Sequence, residues 1–387
     1  MGAPRGSGRP MDHARIEVRP TVRIDDDADL ARAYTPGVAD ACRAIAEDPA
    51  AARRLTTQGN SVAVISDGSA VLGLGNLGAR AALPVLEGKA ALFRRFAGID
   101  AWPLCLQAGD VDAMVACVRG VAAGFGGINL EDIAAPQCFE VESRLRDELD
   151  VPVFHDDQHG TAIVVLAALR NALRVVSKQL SDVRIVISGA GAAGVAIVRL
   201  LQKAGASHLA IYDSRGAVHP ERDDLSEPKR WLAAHTEAPG PGAPLGKALA
   251  GADVFIGVSG PGVIGADDVA AMADGAIVFA LANPEPEIEP EAAARHAAVV
   301  ATGRSDHPNQ INNVLVFPGV FRGLLDARAR ELTTAAQLAA ARAIAGTVSD
   351  GTLDAGHIVP SVFDERLVPA VARAVAEETG RSGRARS

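Results

Sequence analysis

The chain has 387 residues, 48% of them hydrophobic, which is enough for two substantial cores and makes two domains the expectation. A formal net charge of −9 and a pI near 5.5 oppose sustained attraction to nucleic-acid phosphates or to an anionic membrane, so small soluble molecules are the expected partners. Four scattered cysteines (Cys42, Cys105, Cys117 and Cys138) form no CxxC pair, and no apolar run reaches the roughly 18 residues of a membrane span; a reducing, cytoplasmic setting follows.

Residues 1–10 are rich in Gly, Pro and Arg without an apolar signal-peptide core, and they and the tail from Gly380 are expected to be disordered. Short Val/Ile-rich runs then alternate with longer Ala/Leu-rich segments, the rhythm of an α/β protein, and no internal repeat is evident. The first part predicts strands at 61–65, 101–106, 127–130 and 151–154, with helices at 79–97, 111–123 and 137–149. From Gly160 the run GTAIVVLAALRNALRVV is too long and too regularly apolar for a strand, and it predicts a buried helix joining two domains. The second part predicts strands at 183–188, 208–212, 254–258, 276–281 and 298–301, an exposed Pro/Gly loop at 238–244, and closing helices at 333–348 and 364–379.

GxGxxG occurs twice, as GLGNLG (Gly73, Gly75, Gly78) and as GAGAAG (Gly189, Ala190, Gly191, Ala192, Ala193, Gly194). A dinucleotide needs a preceding strand, a following helix whose amides face the pyrophosphate, and an acid about 20 residues on for the ribose. Only GAGAAG has all three, with VRIVIS before it, AAGVAIVRLLQKAG after it and Asp213 ending HLAIYD. GLGNLG runs into helical sequence with no such acid, and reads as a turn positioning a helix.

Glu131 and Asp132 follow GINL, and Asp156 and Asp157 follow VPVF, so both acidic pairs are expected where a strand gives way to a loop. Carboxylates converging there suit a hard divalent ion, Mg²⁺ or Mn²⁺; solvated loop acids and helix caps are an equal alternative on spacing alone. His155 and His159 in HDDQH approximate the HExxH of zinc proteases. The preceding strand, Asp in place of Glu and the immediate Gly160 argue against zinc, leaving the pair either to stand behind the metal's ligands or to serve a structural role.

Taken with AYTPGV (33–38), SDGSAVLGLGNLG (66–78), PVLEGKAALF (84–93), INLEDI (128–133), VFHDDQHGTA (153–162), LANPEPEI (281–288) and NNVLVFPGVFRG (312–323), the chain resembles the malic enzyme family in its compact bacterial form. The resemblance spans about residues 30 to 325. It implies an N-terminal substrate-and-metal domain (1–158), then a Rossmann-type, doubly wound NAD(P)-binding domain with C-terminal helices (159–387). No appended acyltransferase-like domain is expected.

The implied reaction is oxidative decarboxylation of malate to pyruvate and carbon dioxide with reduction of NAD or NADP, with oxaloacetate decarboxylation a related activity. Tyr34 would be the general acid and Lys89 the general base, its pKa depressed by burial and a nearby cation. Glu131, Asp132 and Asp157 would hold the metal, Asp156 would orient Lys89, and Asn283 and Asn313 would hold malate beside the nicotinamide. Left to themselves, Tyr34 is equally a packing aromatic and Lys89 a solvated helix lysine. Where larger members carry a carboxylate-gripping arginine this chain has Ala70, and Arg304 is the candidate replacement. Asp213 favours NAD and Arg215 favours NADP, giving a lean toward NAD with dual use expected. The alternatives are a malolactic enzyme, which retains its cofactor, and a non-catalytic NAD-binding sensor. A homodimer is expected, with the segment around Tyr34 near its interface.

Overall fold

The computed structural model describes residues 13–381. The expectation for residues 1–10 lies outside the described residues; Gly380 and Arg381 are helical, and the remainder of the tail lies outside as well.

Three short helices, α1 (Asp27–Ala33), α2 (Val38–Glu47) and α3 (Ala52–Leu55), lead into β1 (Ser61–Ser66). There follow α4 (Ala79–Ala97), β2 (Asp100–Cys105), α5 (Val111–Val121), β3 (Gly127–Leu130), α6 (Gln137–Glu148) and β4 (Val153–His155). The four strands form a parallel sheet in the order β2-β1-β3-β4. All six residues of β1 are buried, as a central parallel strand with both faces covered requires.

The link to the second sheet is α7 (Thr161–Val175), buried without a break from Ala162 to Leu169. A helix that is apolar all round has no solvent face. Beyond it come β5 (Arg184–Ser188), α8 (Ala192–Ala204), β6 (His208–Asp213), β7 (Gly216–Ala217), α9 (Glu227–His235), α10 (Leu245–Leu249), β8 (Val254–Gly257), α11 (Ala266–Ala270), β9 (Ile277–Ala280), α12 (Pro290–Ala293) and β10 (Val299–Thr302). The strands are ordered β10-β9-β8-β5-β6-β7, parallel except for β7 against β6. Helices α13 (Phe317–Asp326), α14 (Thr334–Thr347) and α15 (Leu367–Arg381) pack together and close the chain.

In both sheets the chain steps from its first strand to one side and later returns to the other, between β1 and β3 and between β5 and β8. Crevices beyond the carboxyl ends of strands at such reversals are where α/β sheets bind ligands. No helix among the described residues is long and apolar enough to cross a membrane.

Eight helices lie outside the sequence-based expectations: α1, α2, α3, α9, α10, α11, α12 and α13. In α2, Val38, Ala41, Cys42 and Ile45 recur at helical spacing, yet none of its residues is buried. In α13 Pro318 occupies the first turn, where a missing N–H costs nothing but the sequence reads as a break.

That helix matters to the site. Phe317 and Phe321 on α13 pack against Phe93 of α4, with ring centroids 4.7 and 5.3 Å away, and Phe154 of β4 lies 5.5 Å from Phe321. Each buried phenyl contributes about 1.5–3 kcal/mol. Lys89 lies one helical turn before Phe93, on the same face of α4, so this packing aims it at the carboxyl ends of β3 and β4.

Candidate active site

At the end of β3 the Glu131 amide donates to the Ile65 carbonyl at 2.8 Å, extending the ladder by one residue. Asp132 then turns into the left-handed region with φ +52, a conformation that non-glycine residues adopt at a cost and that clusters at functional sites. Its carbonyl accepts from the Ala70 amide at 3.0 Å and its own amide donates to Asp157 Oδ2 at 3.0 Å. One carboxylate oxygen from each of Glu131, Asp132 and Asp157 lies within 4.8 Å of the others.

After β4 the chain passes directly into a π-helical turn, Asp156–Gly160, that opens α7. The expected strand-to-loop transition is therefore found for Glu131 and Asp132 and not for Asp156 and Asp157. Single π turns recur at functional sites because the extra residue re-aims side chains. Gly160 is required here, since a Cβ would fall 2.0 Å from Asp156 Oδ1.

Lys89, only 8% exposed, donates to both Glu131 and Asp156 and stands 4.7 Å above the Phe317 ring. Asn313 donates to Asp156 Oδ2 at 3.1 Å, and Asn129 to Glu131 Oε2 at 3.0 Å. The expected depressed pKa of Lys89 is not found. Burial pushes it down, but the charges of Asp156 and Glu131 outweigh burial and hold the ammonium above the usual lysine range.

The acids are perturbed too. Burial, then repulsion from Asp157, pushes Asp132 up to about 7, and burial raises Glu131 well above the usual range against the pull of Lys89. Asp132 Oδ2 is buried with no partner among the described residues. Clustered, mutually repelling carboxylates with an orphaned oxygen fit a hard divalent cation bound through oxygen.

HDDQH makes no zinc site. His155 is fully buried with neither ring nitrogen hydrogen-bonded, while His159 Nε2 turns away to Glu142 Oε1 at 2.6 Å.

In the second sheet the GAGAAG glycines divide the expected labour. Gly189 has φ +113 and a Cβ there would meet the Val258 carbonyl at 2.4 Å; at Gly194 a Cβ would strike the Gly189 carbonyl at 1.8 Å. Around Gly191 the space is open, leaving the backbone free for approach by a pyrophosphate.

Asp213 differs from its expected part. Its Oδ1 accepts from the Arg215 amide at 2.9 Å and from Arg222 Nη1 at 2.8 Å, while Oδ2 accepts from Arg222 Nη2 at 3.1 Å and Lys229 Nζ at 2.6 Å. Burial alone would raise this carboxyl, but these bonds hold it below the usual range. Arg215 pairs with Asp224 at 2.8 Å. Sequence reading missed Arg222 and Lys229 because β7 and α9 return them to the strand end; the basic spacing in ERDDLSEPK was the available signal.

The remaining expected residues are more dispersed. Asn283 is exposed in the loop after β9, and its carbonyl lies 2.5 Å from where a Gly73 Cβ would sit, so the GLGNLG turn touches the second domain. Arg304 pairs with Asp306 through two bonds, at 2.9 and 2.6 Å. Tyr34 caps the C-terminus of α1, is 68% exposed, and makes no side-chain bond to the carboxylate cluster.

Comparison with known proteins is consistent across the chain. Residues 13–146 match the family model for the malic enzyme N-terminal domain, and residues 158–380 match that for the malic enzyme NAD binding domain. The chain is 53% identical over 374 residues to an NAD-dependent malic enzyme of Geobacillus stearothermophilus, covering 96% of this chain and 78% of that protein. It is 48% identical over 378 residues to a bifunctional malic/malolactic enzyme of Bacillus subtilis, covering 97% and 92%. Among solved structures, malic enzyme from Pyrococcus horikoshii Ot3 aligns with a TM-score of 0.91 at 48% identity, over 96% of this chain and 88% of that one. With both domain models matched in order and the fold shared along its length, the chain belongs to the malic enzyme family.

Proposed function

We propose that this protein oxidises malate at C2 and releases the C4 carboxylate as carbon dioxide, giving pyruvate while NAD or NADP is reduced; oxaloacetate decarboxylation is the related partial reaction. The observation that carries the reading is the buried Lys89 amine wedged between Asp156 and Glu131 beside the Glu131, Asp132 and Asp157 cluster.

In this reading Glu131, Asp132 and Asp157 hold Mg²⁺ or Mn²⁺. When bound, the cation supplies Lewis-acid polarisation of the substrate C2 oxygen, and the nicotinamide accepts the C2 hydride. Lys89, as the neutral amine, takes the C2 hydroxyl proton, and Asp156 orients Nζ. After the C3–C4 bond breaks, Tyr34 returns a proton to C3. Asn313, just before α13, and Asn283, after β9, hold the substrate. The test is product identity: pyruvate with one equivalent of reduced dinucleotide. The similarity to a bifunctional malic/malolactic enzyme gives the rival outcome, lactate with no net reduction.

For the cofactor, Asp213 is neutralised by Arg222 and Lys229, so its repulsion of a 2′-phosphate is weakened and dual use of NAD and NADP is the reading we adopt. Arg222, and not Arg215, sets the balance. Arg222→Gln is expected to lower the NADP-to-NAD ratio of kcat/KM about tenfold or more, the worth of one charge-assisted bond, with a smaller change for Arg215→Ala. An unchanged ratio in Arg222→Gln would place the selectivity elsewhere.

A homodimer completes the reading. Val18, Val22, Ile24, Leu30, Tyr34 and Val38 are exposed among charged residues of the N-terminal segment, apolar side chains that a second copy would cover beside the general acid. Light scattering at assay concentration should give a dimer or larger assembly, and a fully active monomer would contradict this. The four cysteines are free, in keeping with a cytoplasmic setting.

A further inference from the structure

Glu142 sits on α6 and is 5% exposed, an expensive place for a carboxylate unless its bonds serve a purpose. It is not one of the three clustered acids. Its Oε2 accepts from Gln158 Nε2 at 3.0 Å and its Oε1 pairs with His159 Nε2 at 2.6 Å. Both partners are consecutive residues of the π-helical turn whose two preceding residues are Asp156, bonded to Lys89, and Asp157, one of the clustered acids.

A π turn departs from the regular ladder of an α-helix, so backbone bonding alone fixes its side-chain directions less firmly. The second bond to Glu142 removes rotation about the first. Together they pull one side of the turn toward α6, and Asp157 on the preceding residue is left facing Asp132, whose amide it accepts at 3.0 Å. Glu142 also borders a cleft of about 360 Å³ lined by Phe139, Arg146, Gln158, His159 and Arg199. Removing the carboxylate would therefore open space to water instead of leaving a dry apolar cavity.

We propose that Glu142 is a positioning residue for the divalent-cation site, clamping Gln158 and His159 so that the π turn presents Asp157 toward Glu131 and Asp132. The inference rests on the reading of those three acids as metal ligands.

Direct Mn²⁺ titration, following the electron paramagnetic resonance signal of the free ion, separates the two claims. Wild type should bind Mn²⁺; failure to bind would sink the ligand assignment itself. Glu142→Ala should bind about 10- to 100-fold more weakly, with the Kd for reduced dinucleotide unchanged. Glu142→Gln, whose amide oxygen can still accept one of the two bonds, should recover most of the affinity. Gln158→Ala, which leaves the carboxylate in place and removes one bond, should weaken Mn²⁺ about fivefold, and it carries the test if Glu142→Ala does not fold. Mn²⁺ affinity within twofold of wild type in both alanine variants, or a parallel loss of Mn²⁺ and dinucleotide binding, would overturn the positioning role.

Discussion

Lys89→Ala is expected to lower kcat/KM for malate by about two to four orders of magnitude, the range supplied by a positioned general base. Nζ pairs with both Asp156 and Glu131, so alanine also leaves two buried carboxylates without this cation, at a cost of about 3–5 kcal/mol. Lys89→Arg separates the two effects. A guanidinium keeps the positive charge between the acids but does not release a proton at usable pH. It should retain reduced-dinucleotide binding and a melting temperature closer to wild type than the alanine variant, while malate oxidation stays lost. Normal oxidation in either variant would remove Lys89 from the chemistry.

Asp157→Asn should raise the metal concentration needed for half-maximal activity by about a hundredfold or more, since even partners behind a ligand are worth 10- to 100-fold. The substitution is nearly isosteric, and the amide oxygen can still accept from the Asp132 amide, the 3.0 Å bond made by Asp157 Oδ2. What is lost is charge. Repulsion from Asp157 helps push Asp132 up to about 7, so its removal should let Asp132 ionise more readily and leave the metal-free fold no less stable. Weaker metal binding with undiminished stability is the pattern of a group kept for binding. Unchanged metal dependence would contradict the ligand role, and a large fall in metal-free melting temperature would mark Asp157 as structural.

How far the sequence reveals this arrangement depends on the range of the interactions. The boundaries of α4 and β3 coincide with those expected at 79–97 and 127–130, because periodicity and flanking glycines are local signals. Gly189, Gly191 and Gly194 are legible for the same reason, since strand, turn and helix follow one another without a break. The π turn is not, because Asp156, Asp157, Gln158, His159 and Gly160 give no helical pattern and their geometry is held from α6 by Glu142.

Electrostatics is harder still to read from sequence. Burial and a cation suggest a depressed Lys89, yet the pair of acids that folding places against it reverses the sign. In the same way Asp213, at a strand end suited to a ribose, is occupied by Arg222 and Lys229, which lie nine and sixteen positions further on. Tyr34 is named by its motif alone; nothing in its local sequence says what its exposed ring packs against.

One assay tests the metal site and the reaction most directly: absorbance in the reduced-nicotinamide band after malate is added to protein freed of divalent ions by chelation, then titrated with Mg²⁺ or Mn²⁺. The expected result is no absorbance change before the metal is added, and on titration a saturable rise with NAD and with NADP, accompanied by equal amounts of pyruvate and carbon dioxide. A full rise in the continued presence of chelator would contradict the carboxylate cluster as a metal site, and metal-replete protein that forms no reduced dinucleotide from malate would contradict the reaction itself.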